Sequence, residues 1–192
     1  MVNGPKYDQI IQASIEVFSR TNYETATTAL LAKEAGIAEG TLYKYFPGKK
    51  ELFLACCRHI EGMLIERYRE IYRETKDKPV EFLKRVANSY LEFVKENPNR
   101  RKFLAFVLNN TFDDDFRAEL ERFLKLNVAA TERMIKLGIQ KGEIRDDIDP
   151  TVAAWLFVGG YFTLILVAEV GMSEILSPKY MDSLFKGFIK AE

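Results

Sequence analysis

Between Thr27 and Lys50 the chain gathers side chains suited to binding a polyanion: Thr27, Thr28, Thr41, Tyr43, Lys44, Tyr45, Lys49 and Lys50. Threonine and tyrosine hydroxyls and lysine ammonium groups donate to phosphate oxygens, and a lysine also reaches the acceptor edge of guanine. Glu39 is of the opposite kind: phosphate repels it, whereas a cytosine amine can donate to it. Gly40, next to it, allows backbone to approach another surface closely. Elsewhere reactive types are sparse. One histidine, His59, and two adjacent cysteines, Cys56 and Cys57, offer no metal-ligand spacing. Helical neighbours point about 100° apart, so the two thiols are poorly placed to bridge. There is no G-x-S-x-G and no phosphate-binding glycine loop. The expectation is therefore no enzyme, no metal and no cofactor. Asp113-Asp114-Asp115 reads as a helix N-terminus, where the dipole favours negative charge.

The 28 basic and 28 acidic residues cancel, so bulk charge makes no case for a nucleic-acid partner. Placement has to make it, and placement depends on the helices. The apolar residues recur with helical period throughout, and no long stretch alternates with period two. All six prolines fall at or just before a helix start, several after a capping residue, as in Asn97-Pro98, Asp149-Pro150 and Ser177-Pro178. An all-α chain of about nine helices follows, over 5–21, 28–35, 39–45, 48–75, 79–96, 98–109, 113–141, 150–170 and 178–190. The boundary between an N-terminal domain, 1–48, and a larger helical domain, 49–192, falls at the start of the long fourth helix.

Within the first domain, Ile10, Ile11, Ala13, Ser14, Val17 and Phe18 form one apolar stripe. Asn22 suits a left-handed helix cap, Thr27 an N-cap, and Gly36 the tight turn of a helix-turn-helix. Leu31, Ala32, Ala35, Leu42 and Phe46 point inward, with Ile37 plugging the corner. That leaves Glu39, Gly40, Thr41, Tyr43, Lys44 and Tyr45 outward.

The pattern Phe18, Tyr23, Thr27, Leu31-Ala32, Ala35-Gly36-Ile37, Gly40-Thr41-Leu42-Tyr43, Phe46, Lys49 resembles the N-terminal domain of TetR-type (TetR/AcrR) transcriptional regulators. The resemblance runs from Ile10 to Leu52. It implies a three-helix helix-turn-helix domain followed by a helical ligand-binding and dimerisation domain. It also implies that Thr27 and Thr28 touch phosphates, that Ala38 to Lys44 read bases, and that Tyr43, Tyr45 and Lys49 anchor phosphates. Asn22 stands where the family usually has Gly, Ala38 where many members have Ser, and Pro47-Gly48 replaces a more usual polar pair.

The implied function is a cytoplasmic DNA-binding regulator, a repressor released from a palindromic operator by a small ligand. The alternative is a ligand-independent DNA-binding protein or an activator of the same fold. Fatty acyl, acyl-CoA or aromatic effectors fit the density of aromatic residues. Candidate lining residues are Met63, Tyr68, Tyr90, Phe93, Phe103, Phe106, Asn109, Phe123, Met134, Trp155, Phe157, Tyr161 and Phe162. By the same resemblance the helices at 150–170 and 178–190 form a homodimer interface. Val152 to Ala168 carries no charge and approaches the lower limit of a membrane span. Gly159-Gly160 and the immediately following Glu169 favour a doubly buried helix instead, and no membrane is expected. The N-terminal MVNGPKYDQ lacks the basic-then-apolar pattern of a signal peptide.

Overall fold

The computed structural model describes residues 4–109, 111–172, 174, 176–187 and 189. They form α1 (Pro5–Thr21), α2 (Thr28–Glu34), α3 (Glu39–Tyr45), α4 (Lys49–Thr75), α5 (Pro79–Glu96), α6 (Pro98–Asn109), α7 (Asp114–Gln140), α8 (Pro150–Glu169) and α9 (Pro178–Lys186). Among the described residues there is no strand, only an isolated bridge between Ile144 and Ile189. Proline opens α1, α5, α6, α8 and α9, where its missing N–H costs no helical bond. Asp149 caps α8 by accepting from the Val152 N–H, whereas Ser177 makes no side-chain cap. The expected helices agree with these to within a residue or so at all ends but one. The last ends at Lys186, not 190, because the chain turns at Gly187 and Ile189 pairs with Ile144. Phe188 and Lys190, in the expected extension, lie outside the described residues.

By packing, the chain divides into two compact units, Met1–Met63 with Pro98–Leu120, and Leu64–Asn97 with Glu121–Glu192. The first unit takes in the start of α4 and all of α6 along with the head, and its core gives the reason. Phe53 of α4 sits among the rings of Phe18, Tyr23, Phe103, Phe106 and Phe116, with centroids 4.6–5.6 Å away. α6 and the first turns of α7 thus share one aromatic core with α1. Such rings prefer edge-to-face or offset packing and bury a large apolar area each. Between α1 and α2, Asn22 takes φ 87°, and its Oδ1 accepts from the Thr25 N–H and hydroxyl. Asparagine tolerates this left-handed conformation because its short amide bonds locally. Gly36, at φ 64°, makes the turn between α2 and α3, and Gln9 Nε2 donates to the Ala35 carbonyl from α1.

The second unit packs α5 against α8 and α9. Tyr90 stacks on Tyr161 at 4.2 Å, and Phe157 meets Tyr161 edge-on. α8 is long and apolar enough to cross a membrane by length and composition, but half of that window is buried inside the protein. Its other face leaves Val152, Trp155, Leu156, Leu166 and Val170 exposed. Residues three and four apart share one side of a helix, so these form an apolar stripe.

Candidate nucleic-acid interface and effector cleft

The candidate recognition surface is built on two seven-residue helices joined by the Gly36 turn. Thr27 caps α2 by accepting from the Leu30 N–H, which leaves its own hydroxyl hydrogen free. Ala38 caps α3 with its carbonyl only, which accepts from Thr41 and Leu42. Leu42 and Phe46 are buried and pin α3 to the unit. Ala38, Gly40, Tyr43, Lys44 and Tyr45 are exposed, while Glu39 and Thr41 are half-buried. A Cβ built on Gly40 meets nothing within 4 Å, so the helix face is bare there.

Three of the expected DNA-contacting residues meet each other. Thr28 Oγ1 donates to Glu39 Oε1 at 2.5 Å and lies 3.1 Å from the Tyr43 hydroxyl. Lys49 and Lys50 are held within the chain as well. Lys49 Nζ donates to the carbonyls of Tyr23 and Glu24 and sits 4.4 Å from the centre of the Tyr23 ring. It ties the α1–α2 loop to α4. Lys50 pairs with Asp113 at 3.0 Å and Asp115 at 2.5 Å. Hydrogen bonds from Asp115 and Asp113 raise its pKa, and the bond from Lys50 lowers that of Asp113. Lys44 and Tyr45 stand out from the unit as donors.

The second unit holds a cleft of about 480 Å³ between α4, α5 and α7. Phe82, Met134 and Asn127 are buried at its floor, beside Ile65 and Tyr68. Arg69, Arg73 and Arg133 are exposed at its edge. Glu66 pairs with both Arg69 and Arg73. The Tyr68 hydroxyl is buried without a hydrogen-bond partner. The Tyr161 hydroxyl is its polar neighbour, close enough to act on its pKa as a hydrogen-bonding group, but the two do not meet in good hydrogen-bond geometry and neither has another partner. Burial pushes both phenols well above the usual tyrosine value. Asn127 Nδ2 donates to the Phe123 carbonyl, so its amide oxygen remains available to the cleft.

Of the residues expected to line a cavity, Tyr68 and Met134 do so. Phe103, Phe106 and Asn109 belong to α6 of the first unit, where both rings fill the aromatic core and Asn109 donates to Ala105. Met63 is exposed in that same unit, and Trp155 is 47% exposed on α8. Tyr90, Phe93, Phe157 and Tyr161 are core, and Phe123 and Phe162 are half-buried outside the cleft lining. Selection by aromatic type misses the helix stripes that make the wall. Ile65, Tyr68, Arg69, Tyr72 and Arg73 follow one another at helical spacing on α4, as do Leu126, Asn127, Ala130, Arg133 and Met134 on α7. That double periodicity, with arginines at its edge, is the signal that could have found them.

Comparison with known proteins places the head and the fold. Residues 10–56 match the family model for bacterial regulatory proteins of the tetR family. The fatty acid metabolism regulator protein of Bacillus subtilis is 29% identical over 81% of this chain and 79% of its own length. The nucleoid occlusion factor SlmA of Marinobacter nauticus is 29% identical over 77% of this chain and 73% of its own. The structure of the transcriptional regulator FadR from Bacillus subtilis in complex with stearoyl-CoA superposes with a TM-score of 0.80 at 25% identity. That likeness covers 94% of this chain and 96% of that one. The head thus matches the tetR family model over residues 10–56, and the helical fold is shared along nearly the whole chain with a solved transcriptional regulator.

Proposed function

We propose that the protein is a dimeric repressor that leaves a palindromic operator when an amphipathic ligand enters the cleft of α4, α5 and α7. The carrying observation is the continuity of α4. One uninterrupted helix, Lys49–Thr75, begins at the recognition head and continues as a wall of the cleft from Ile65 to Arg73. At 1.5 Å per residue it is about 40 Å long, so a shift at one end is carried to the other. A ligand that empties the DNA-competent state must prefer the other state by about 5.5 kcal/mol.

The chemistry of the cleft favours a ligand with an apolar body and an anionic head. Phe82, Met134 and Ile65 suit a hydrocarbon chain, the Tyr68 hydroxyl lacks a partner, and three arginines stand at the edge. A fatty acyl compound has these parts, and the B. subtilis FadR structure holds stearoyl-CoA. In the head, the Thr27 hydroxyl, Lys44 and Tyr45 supply the phosphate donors. The exposed stripe of α8 supplies the dimer interface, and two-fold symmetry then sets two recognition helices about 34–36 Å apart, in successive major grooves. As a regulator of operator DNA it works in the cytoplasm.

The test is a gel shift with duplexes from the protein's own promoter region at low salt, with and without stearoyl-CoA. The expected result is a complex that dissociates with the acyl compound. A Lys44→Ala/Tyr45→Phe variant binds more weakly, and its log–log salt slope is flatter by about 0.9 for each phosphate no longer engaged. A complex indifferent to every acyl and aromatic compound tried would make the protein a ligand-independent DNA binder. The absence of any sequence-selective complex would sink the reading altogether.

A further inference from the structure

The outward edge of α3 presents acceptors where most of the head presents donors, and the reason is a chain of hydrogen bonds. A threonine hydroxyl has one hydrogen. Thr28 gives it to Glu39 Oε1 at 2.5 Å. In the 3.1 Å contact with Tyr43, Thr28 Oγ1 must therefore accept, and the Tyr43 phenol donates. Both donors are spent inside the network. What remains for an incoming partner is acceptor capacity: Glu39 Oε2, the spare lone pair of Glu39 Oε1 and the phenol oxygen of Tyr43.

This arrangement cannot serve phosphate. Phosphate oxygens are acceptors and negatively charged, and they are repelled by the carboxylate. In the major groove, guanine shows N7 and O6 and thymine shows O4, all acceptors. Adenine offers an amine beside the N7 acceptor, which opposes a carboxylate. Cytosine offers its N4 amine alone. Gly40, with open space around its Cα, allows α3 to come close at the same place.

We propose that Glu39, held by Thr28 and Tyr43, is a specificity-determining residue that reads a cytosine N4 amine in each half-site of the operator. Thr28 and Tyr43 act as positioning residues, since they fix one carboxylate oxygen and leave the other to the base. The proposal rests on the DNA-binding reading of the head, and it goes beyond it by assigning one base to one side chain.

The experiment is selection of bound duplexes from a random-sequence library by the full chain, wild type against Glu39→Gln, Glu39→Ala and Thr28→Val, with melting curves to verify folding. Wild type selects a cytosine at one position of each half-site, at a preference of about tenfold or more. Glu39→Gln moves that preference toward adenine, because a glutamine amide pairs with both N6 and N7. Glu39→Ala removes it at that position alone, and Thr28→Val weakens it there without altering other positions. A Glu39→Ala variant that selects the wild-type sequence unchanged overturns the proposal. So does one that gains affinity uniformly for all duplexes, which would make Glu39 a repulsive charge only. A folded wild type that selects no sequence overturns the DNA-binding reading and this inference with it, which is a distinguishable result.

Discussion

Tyr68 is the side chain at which the proposed effector cleft can be tested most directly. Its hydroxyl is buried, unpartnered and part of the cleft wall. An unsatisfied buried polar group costs about 1–3 kcal/mol. Tyr68→Phe should therefore raise the stability of the ligand-free protein by about 1 kcal/mol, or about 2–4 °C in Tm for a chain of this size. On the proposed reading, the same variant binds stearoyl-CoA more weakly. A fall in ligand-free Tm would show that the hydroxyl is satisfied in solution. His59 provides a second prediction at this scale. Gln12 joins His59 to Arg100: its Nε2 lies 2.8 Å from His59 Nε2, and its Oε1 accepts from Arg100 at 3.3 Å. Burial, and then the Arg100 charge, lower the imidazole pKa from its ordinary 6.5, against a smaller opposing effect of Asp8. Below pH 6.5 the unfolded chain then binds more protons than the folded one. The stability contributed by neutral His59 is complete above that value and is lost as pH falls from 6.5 through the lower folded value. Melting curves between pH 7.5 and 5.5 should show this loss, and His59→Gln should reduce it. An identical pH dependence in the variant would remove His59 as the cause.

At the scale of elements, helix ends and close approaches obey local rules that a pattern alone only partly reveals. Thr27, Asn22 and Gly36 stand where capping and left-handed backbone require them. Gly138 is different, because nothing in its own neighbourhood of α7 explains it. A Cβ there would come within 2.5 Å of Ile144 Cδ1 and 2.7 Å of Cγ1. Gly138→Ala should cost about 1–3 kcal/mol through overpacking, more than the roughly 1 kcal/mol that alanine contributes to helix propensity. Trimming the neighbour in Gly138→Ala/Ile144→Val should recover part of that loss. At Gly160 the nearest atoms, on Leu184 and Tyr180, lie 3.5 and 3.8 Å from the same built Cβ, so alanine fits there. Denaturant melts of the variants check the ordering. A Gly138→Ala protein as stable as wild type would mean that Ile144 moves aside freely.

At the scale of the whole molecule, the exposed stripe of α8 is the feature that a single chain leaves unexplained. Leu156 is 58% exposed and Val170 69%, on a helix otherwise apolar. Exposed apolar patches of this kind mark interfaces. If the stripe is the proposed dimer interface, a charged Leu156→Glu substitution shifts sedimentation from dimer toward monomer. It should weaken operator binding as well, since two half-sites are then no longer engaged together. A variant that stays dimeric and binds normally would place the interface elsewhere.

Much of the fold is legible in local spacing. Periodicity, proline placement and capping residues set out the helices, because these depend on residues a few positions apart. The outward set of α3 follows from two inward residues, Leu42 and Phe46, for the same reason. The remainder depends on residues distant in the chain. Phe103 and Phe106 read as ligand contacts by type, yet they fill the core around Phe53 of a much earlier helix. Lys49 reads as a phosphate anchor with Lys50 beside it at the helix start, and in the structure Lys49 meets the carbonyls of Tyr23 and Glu24 while Lys50 meets the carboxylates of Asp113 and Asp115. The Thr28–Glu39–Tyr43 network joins α2 to α3 through side chains alone. Such contacts depend on which helix faces meet, and local spacing does not encode that. The order of residues thus specifies the helices and the family's head. Packing between helices specifies which aromatic residues are core, which arginines border the cleft, and which donors on the head are already spent.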